Sequence, residues 1–154
     1  MQRIIISDSS CLILLDKIEA LYLLQKLYWT ITITPEIYEE FGREIPGWIE
    51  VRSVSNKKYQ KILEAILDRG EASAVALAVE NDDSLLIIDD LKGRKYAEFL
   101  GLKIIGTLGV LVDAKLSGVI TSIKPFLAKV QSTNFRITND LEKIVLRKSG
   151  EVES

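Results

Sequence analysis

Leu85-Leu86-Ile87-Ile88 is the stretch that most constrains the fold. Four aliphatic residues in succession leave no polar face, so they suit a strand covered on both sides, as in a parallel sheet flanked by helices. Asp89 and Asp90 follow at once. Near the N-terminus, Arg3-Ile4-Ile5-Ile6-Ser7-Asp8 has the same form, an aliphatic strand running into a carboxylate. In a parallel sheet both strand ends open on one edge, where ligands collect in open α/β folds. Three carboxylates gathered in poorly hydrated surroundings repel one another, and a hard divalent cation with oxygen ligands offsets that repulsion. The two strand ends therefore point to a magnesium or manganese site.

The remaining segments alternate in the same sense. After Ser9 and Ser10, the spacing of Leu12, Leu15, Ile18, Leu21, Leu24 and Leu27 predicts two short helices. Trp29 to Ile33 alternates and is β-branched, which predicts a strand, and Thr34-Pro35-Glu36 starts a helix ended by Gly42. Ile49 to Val54 reads as a short edge strand. Tyr59 to Leu67 reads as a helix stopped near Gly70, with a new one from Glu71 to Val79 whose alanines allow close packing on a sheet. Beyond the central strand come a helix at Lys92–Leu100, a strand at Lys103–Ile105 and a helix capped by Thr107 and ended by Gly118. Two further helices are predicted at about Ile123–Gln131 and Ile137–Lys148. Strands alternating with helices predict an α/β/α sandwich with a mainly parallel sheet of four or five strands.

Composition narrows the chemistry. At 154 residues with 47% hydrophobic content, the chain is sized for one globular domain. There is no histidine, which excludes imidazole bases, Ser-His triads and His-ligated zinc, and the single cysteine, Cys11, excludes an internal disulfide or a thiolate cluster. Twenty Lys and Arg against 22 Asp and Glu give a net charge of −2, so any contact with nucleic acid must use a local basic patch. Apolar runs are too short to span a bilayer, and no basic-then-apolar leader precedes the first strand; a cytoplasmic protein without a membrane partner is expected.

Each acid also has a purely structural explanation. Asp8 before two serines suits a helix start, and Asp89 and Asp90 suit an N-cap and a first-turn acid. Glu71 sits where negative charge helps any helix, and Glu39 and Glu40 lie on an acidic helix face. Lys92, Arg94 and Lys95 form a basic group two residues beyond the acidic pair, suited to phosphate oxygens, with Lys57, Lys58 and Lys61 as a possible extension.

Taken in order, Ile-Ile-Ser-Asp8-Ser-Ser, Pro35-Glu-Ile-Tyr-Glu-Glu40, Gly70-Glu71-Ala-Ser-Ala and Ile88-Asp89-Asp90 with Arg94 and Ala97 resemble the PIN-domain nucleases. Gly101-Leu102-Lys-Ile-Ile-Gly106-Thr107-Leu-Gly109-Val-Leu111 is similar to the later segment of the VapC-like subgroup of prokaryotes. The resemblance runs from about Ile4 to Gly118. It implies a PIN-like α/β/α domain over 1–148, including C-terminal helices from about 122, with a polar tail at 149–154. It also implies a Mg²⁺- or Mn²⁺-dependent ribonuclease, a homodimer, and a small antitoxin as partner. Matched residue by residue, Asp8, Glu40, Glu71 and Asp90 correspond to the catalytic, metal-holding acids, with Glu39 as the alternative register to Glu40 and Asp89 as a further metal ligand. Ser9, Lys92, Arg94 and Thr107 are then substrate-binding candidates. The chain departs from the pattern where many PIN nucleases carry a further Asp: Gly106-Thr107 stands there, and Asp113 lies deeper in the next helix.

The implied reaction is hydrolysis of an RNA phosphodiester by metal-activated water, which requires no histidine. A PIN-like module that binds RNA or protein without cutting is the alternative. A phosphate receiver or phosphatase fits less well, because Asp89-Asp90-Leu91 is not an Asp-x-Asp motif and the acidic pair follows a later strand.

Overall fold

The computed structural model describes residues 3–151. Its strands are β1 (Ile4–Ser7), β2 (Ile31–Ile33), β3 (Ile49–Val51), β4 (Ser84–Ile87) and β5 (Lys103–Ile105). The helices are α1 (Ser9–Lys17), α2 (Tyr22–Tyr28), α3 (Pro35–Phe41), α4 (Lys57–Leu63), α5 (Arg69–Val79), α6 (Leu91–Phe99), α7 (Thr107–Leu116), α8 (Lys124–Gln131) and α9 (Asn139–Lys148). All strand pairings are parallel, in the order β3-β2-β1-β4-β5. The architecture is the predicted α/β/α sandwich, with five strands.

The order of strands explains where a site can form. From β1 the chain steps outward through β2 to β3, then returns to lay β4 on the other side of β1. The crevice between the carboxyl ends of β1 and β4 is therefore a topological switch point, where connections diverge and leave room for a ligand. Ser7 pairs with Ile87, so Asp8 and Ile88 emerge side by side. β4 is buried throughout, as its aliphatic run requires. α5 packs on β1 and β4 and on α3 and α4, and its Ala72, Ala74, Ala76 and Ala78 are all buried between these neighbours.

Several local expectations need correction. The strand expected from Trp29 begins only at Ile31, because Trp29 has φ +72° and Thr30 N–H donates to Tyr28 O across a three-residue turn. The central strand is Ser84–Ile87, one residue earlier than its aliphatic run. α4 ends at Leu63 in a turn, and Gly70 lies inside the first turn of α5 rather than stopping a helix. The cap of α7 is Gly106; Thr107 is the first helical residue and makes no capping bond. After α9, Ser149 is buried, and the Glu151 carboxylate accepts from Ser122 Oγ at 2.6 Å and Ile123 N at 2.7 Å. Residues 152–154 of the expected tail, and residues 1 and 2 of the expected domain, lie outside the described residues.

Candidate active site

Three helices begin at the crevice with an aspartate cap. Asp8 caps α1, its Oδ1 accepting from Ser9 N at 2.8 Å, while its own N–H donates to Ile87 O. Asp90 caps α6 through Gly93 N at 3.0 Å, and Asp68 caps α5 through Glu71 N at 2.9 Å. A short acceptor side chain in extended backbone is what an unsatisfied first turn requires. The caps thus gather Asp8, Asp68 and Asp90 near one place, and Glu71 follows in the first turn of α5.

Asp8 is only 2% exposed. Burial, aided by the charges of Asp68 and Glu40, pushes its carboxyl up to about 7 against the pull of the Ser9 N–H and the Ser10 hydroxyl. Glu71, half-buried, is pushed to about 8 by burial and then by Asp68, Asp8 and Asp90. Among the described residues, none of the ion pairs involves these acids: Arg3, Arg43 and Arg69 pair with Asp83, Asp16 and Glu39.

Glu40 joins the group from the end of α3. Its Oε1 accepts from Ser9 Oγ at 2.7 Å, and its carboxylate lies so close to Gly70 that a Cβ there would collide with Oε1. Of the two registers open in the sequence, Glu40 is the one at this edge, and Glu39 is turned toward Arg69 at 3.7 Å.

Asp89 is differently employed. Its Oδ1 accepts from Thr107 N at 2.8 Å, and its Oδ2 accepts from Thr107 Oγ1 at 2.6 Å and from the Cys11 thiol at 3.2 Å. This carboxylate ties the starts of α6 and α7 to α1. Burial and then the Asp89 charge hold the Cys11 thiol well above its ordinary value, so it stays protonated and is no nucleophile. Thr107 is fully buried with its hydroxyl engaged. Arg94 donates to Ile88 O at 2.8 Å, while Lys92 is exposed at the start of α6. Asp113 lies away from the acids, on the exposed side of α7.

The donor set has the chemistry of a hard-cation site: carboxylate oxygens, with Asp8 buried, Glu71 half-buried and Glu40, Asp68 and Asp90 exposed, near one another without basic partners. Its arrangement is open, for among the described residues no group of three or more acidic or thiol side chains is placed to hold a metal ion. Asp68 is a member of this acidic group that the strand-end pattern does not mark. Its signal was the Asp68-x-x-Glu71 spacing of a capping box, which reads as helix chemistry until the fold brings Asp8 and Asp90 alongside.

A search of curated proteins finds no match to the chain. A family model described as a PIN domain matches residues 4–151, which takes in every strand, the acid-capped helix starts and α8 and α9. PIN domains are in general nucleases that use divalent metals. With nearly its whole length so matched, and with acids collected at the sheet edge where that fold does its chemistry, the chain belongs to the PIN-domain family.

Proposed function

We propose that the chain is a divalent-metal-dependent endoribonuclease of the VapC-like kind, the toxin of a toxin–antitoxin pair. The observation that carries this reading is the convergence of Asp8, Asp68, Glu71 and Asp90 at helix starts beside the carboxyl ends of β1 and β4, with Glu40 brought in through Ser9; the raised carboxyls of Asp8 and Glu71 accord with it. A cation relieves repulsion among these acids and gives the cluster a purpose that helix capping alone does not. In this reading Asp8, Glu40, Glu71 and Asp90 hold Mg²⁺ or Mn²⁺, and Asp68 adds negative charge beside them. The cation supplies Lewis acidity, lowering the pKa of a water and stabilising charge on the attacking and leaving oxygens of an RNA phosphodiester.

The chain's own groups do the positioning. Ser9 orients the Glu40 carboxylate through its hydroxyl. Asp89 acts through Thr107, fixing the start of α7 against α6. Lys92 offers a charge to the phosphate backbone, a contact that positions a strand without reading its sequence. A homodimer and a small antitoxin complete the proposal.

A second reading, a module that binds RNA or protein without cutting, draws on the open arrangement of the acids and on Thr107 standing where many PIN nucleases carry a further Asp. Cleavage of a mixed, structured RNA pool with Mn²⁺, Mg²⁺ or EDTA, beside Asp8→Asn, separates the two. Metal-dependent cutting lost in the variant is the expected result. No cutting, together with no Mn²⁺ binding by calorimetry at millimolar concentration, gives the decision to the second reading.

A further inference from the structure

Along β5, the helices α6, α7 and α9 line an open cavity of about 540 Å³. Its walls are largely apolar, with Ile104, Phe135 and Ile144 among them, and Leu91 stands at it 74% exposed. The polar groups are few and placed: Arg94 and Lys148 supply positive charge, and Asp113 supplies a carboxylate. Asp89 also lines it, so the cavity reaches the starts of α6 and α7.

This lining combines apolar side chains, one carboxylate and two cations, the groups that a flat heterocycle with a hydrogen-bonding edge and an attached phosphate would meet. Ligand cavities of this size are typically apolar with a few convergent polar groups, and single-stranded RNA is recognised by taking unstacked bases into such sites. We propose that the cavity receives the base of a nucleotide flanking the scissile phosphate, with Leu91, Phe135 and Ile144 against its faces, Asp113 accepting from its N–H edge, and Arg94 and Lys148 meeting the adjoining phosphate. The proposal rests on the ribonuclease reading and adds a base-binding subsite to it. Asp113 is exposed at the cavity, where its carboxylate is open to accept a hydrogen bond. The cationic side chains match a phosphate-bearing ligand.

The test is binding in EDTA, where no cutting occurs, of a fluorescent RNA trinucleotide and of an abasic trinucleotide with the same phosphates. Stacking of a single base on protein side chains predicts that the intact RNA binds about tenfold more tightly or better. Ile144→Asp should abolish that difference while leaving abasic binding unchanged, and Asp113→Asn should reduce it. Leu91→Asp, at a more exposed position, serves if Ile144→Asp does not fold. Equal binding of the two RNAs by the unaltered protein overturns the proposal, and so does a preference that survives in both Ile144→Asp and Leu91→Asp. Sedimentation provides a further check: a dimer that dissociates in Ile144→Asp means a second copy covers the cavity, which also overturns it. Metal-dependent cleavage without base preference rejects the subsite alone, whereas absence of both RNA binding and cleavage rejects the nuclease reading with it.

Discussion

Asp8 caps a helix and is almost wholly buried, and those two conditions set its titration in opposition to folding. With its carboxyl raised from 3.8 to about 7, the folded state favours the protonated form. The fold is then unpenalised below about pH 4 and loses stability as pH rises toward and past 7, by about 4 kcal/mol once the group is ionised. Glu71, raised to about 8, adds loss in the same direction. Urea unfolding of metal-free protein should therefore give a lower free energy at pH 9 than at pH 5. Asp8→Asn, which keeps a good cap, should regain about 2–4 kcal/mol at pH 9 while losing cleavage. Equal stability of the native chain at both pH values contradicts this account. Asp68→Asn keeps its cap too but removes a charge, so carboxyl NMR should show Glu71 and Asp8 titrating at lower pH; Asp68→Ala should also cost about 1 kcal/mol from the lost cap. The places of Asp8, Glu71 and Asp90 at helix starts were legible because they stand just after an aliphatic run or a glycine. Asp68 was not, because its charge matters only through space.

At the scale of elements, Gly70 shows why a glycine in a pattern is ambiguous. In sequence it reads as a helix stop; in the fold it opens α5 and leaves room for Glu40. A methyl at 70 meets the end of an exposed, flexible side chain, so Glu40 can move and the helix gains up to about 1 kcal/mol in propensity. Gly70→Ala should thus leave the melting temperature unchanged or higher while sharply lowering cleavage, because the Ser9–Glu40 bond is displaced. Gly93→Ala should behave oppositely. Its Cβ would stand 2.6 Å from Cδ1 of the fully buried Ile88, so thermal unfolding should show a clear loss of stability. Thr107→Val tests the link between α6 and α7: it leaves Asp89 short of a donor, and urea unfolding should show a loss of about 1–3 kcal/mol.

Across the whole molecule, charge repulsion at one edge is held in place by a core built from the five strands and the helices covering them. A divalent cation that binds only the folded arrangement should raise the melting temperature in proportion to its concentration. Mn²⁺ at pH 8 is therefore expected to stabilise the native chain and to have much less effect on Asp8→Asn in differential scanning calorimetry; an equal shift in both would place the metal elsewhere. By itself the sequence determined the buried parallel strands, the helices between them and the acids at the strand ends. Those follow from local rules: an aliphatic run suits a strand covered on both faces, and a helical crossover suits parallel neighbours. Only the tertiary structure decided the strand order, the placing of Glu40 beside Ser9 and of Glu39 toward Arg69, the entry of Asp68 into the acidic group and the use of Asp89 as a bracket for Thr107. These depend on contacts between residues as distant in the chain as Ser9 and Glu40, 31 apart, or Cys11 and Asp89, 78 apart. Burial, repulsion and hydrogen bonding act through space, so the chemistry of a carboxylate is settled by its neighbours after folding, while its place at the end of a strand is written in the chain.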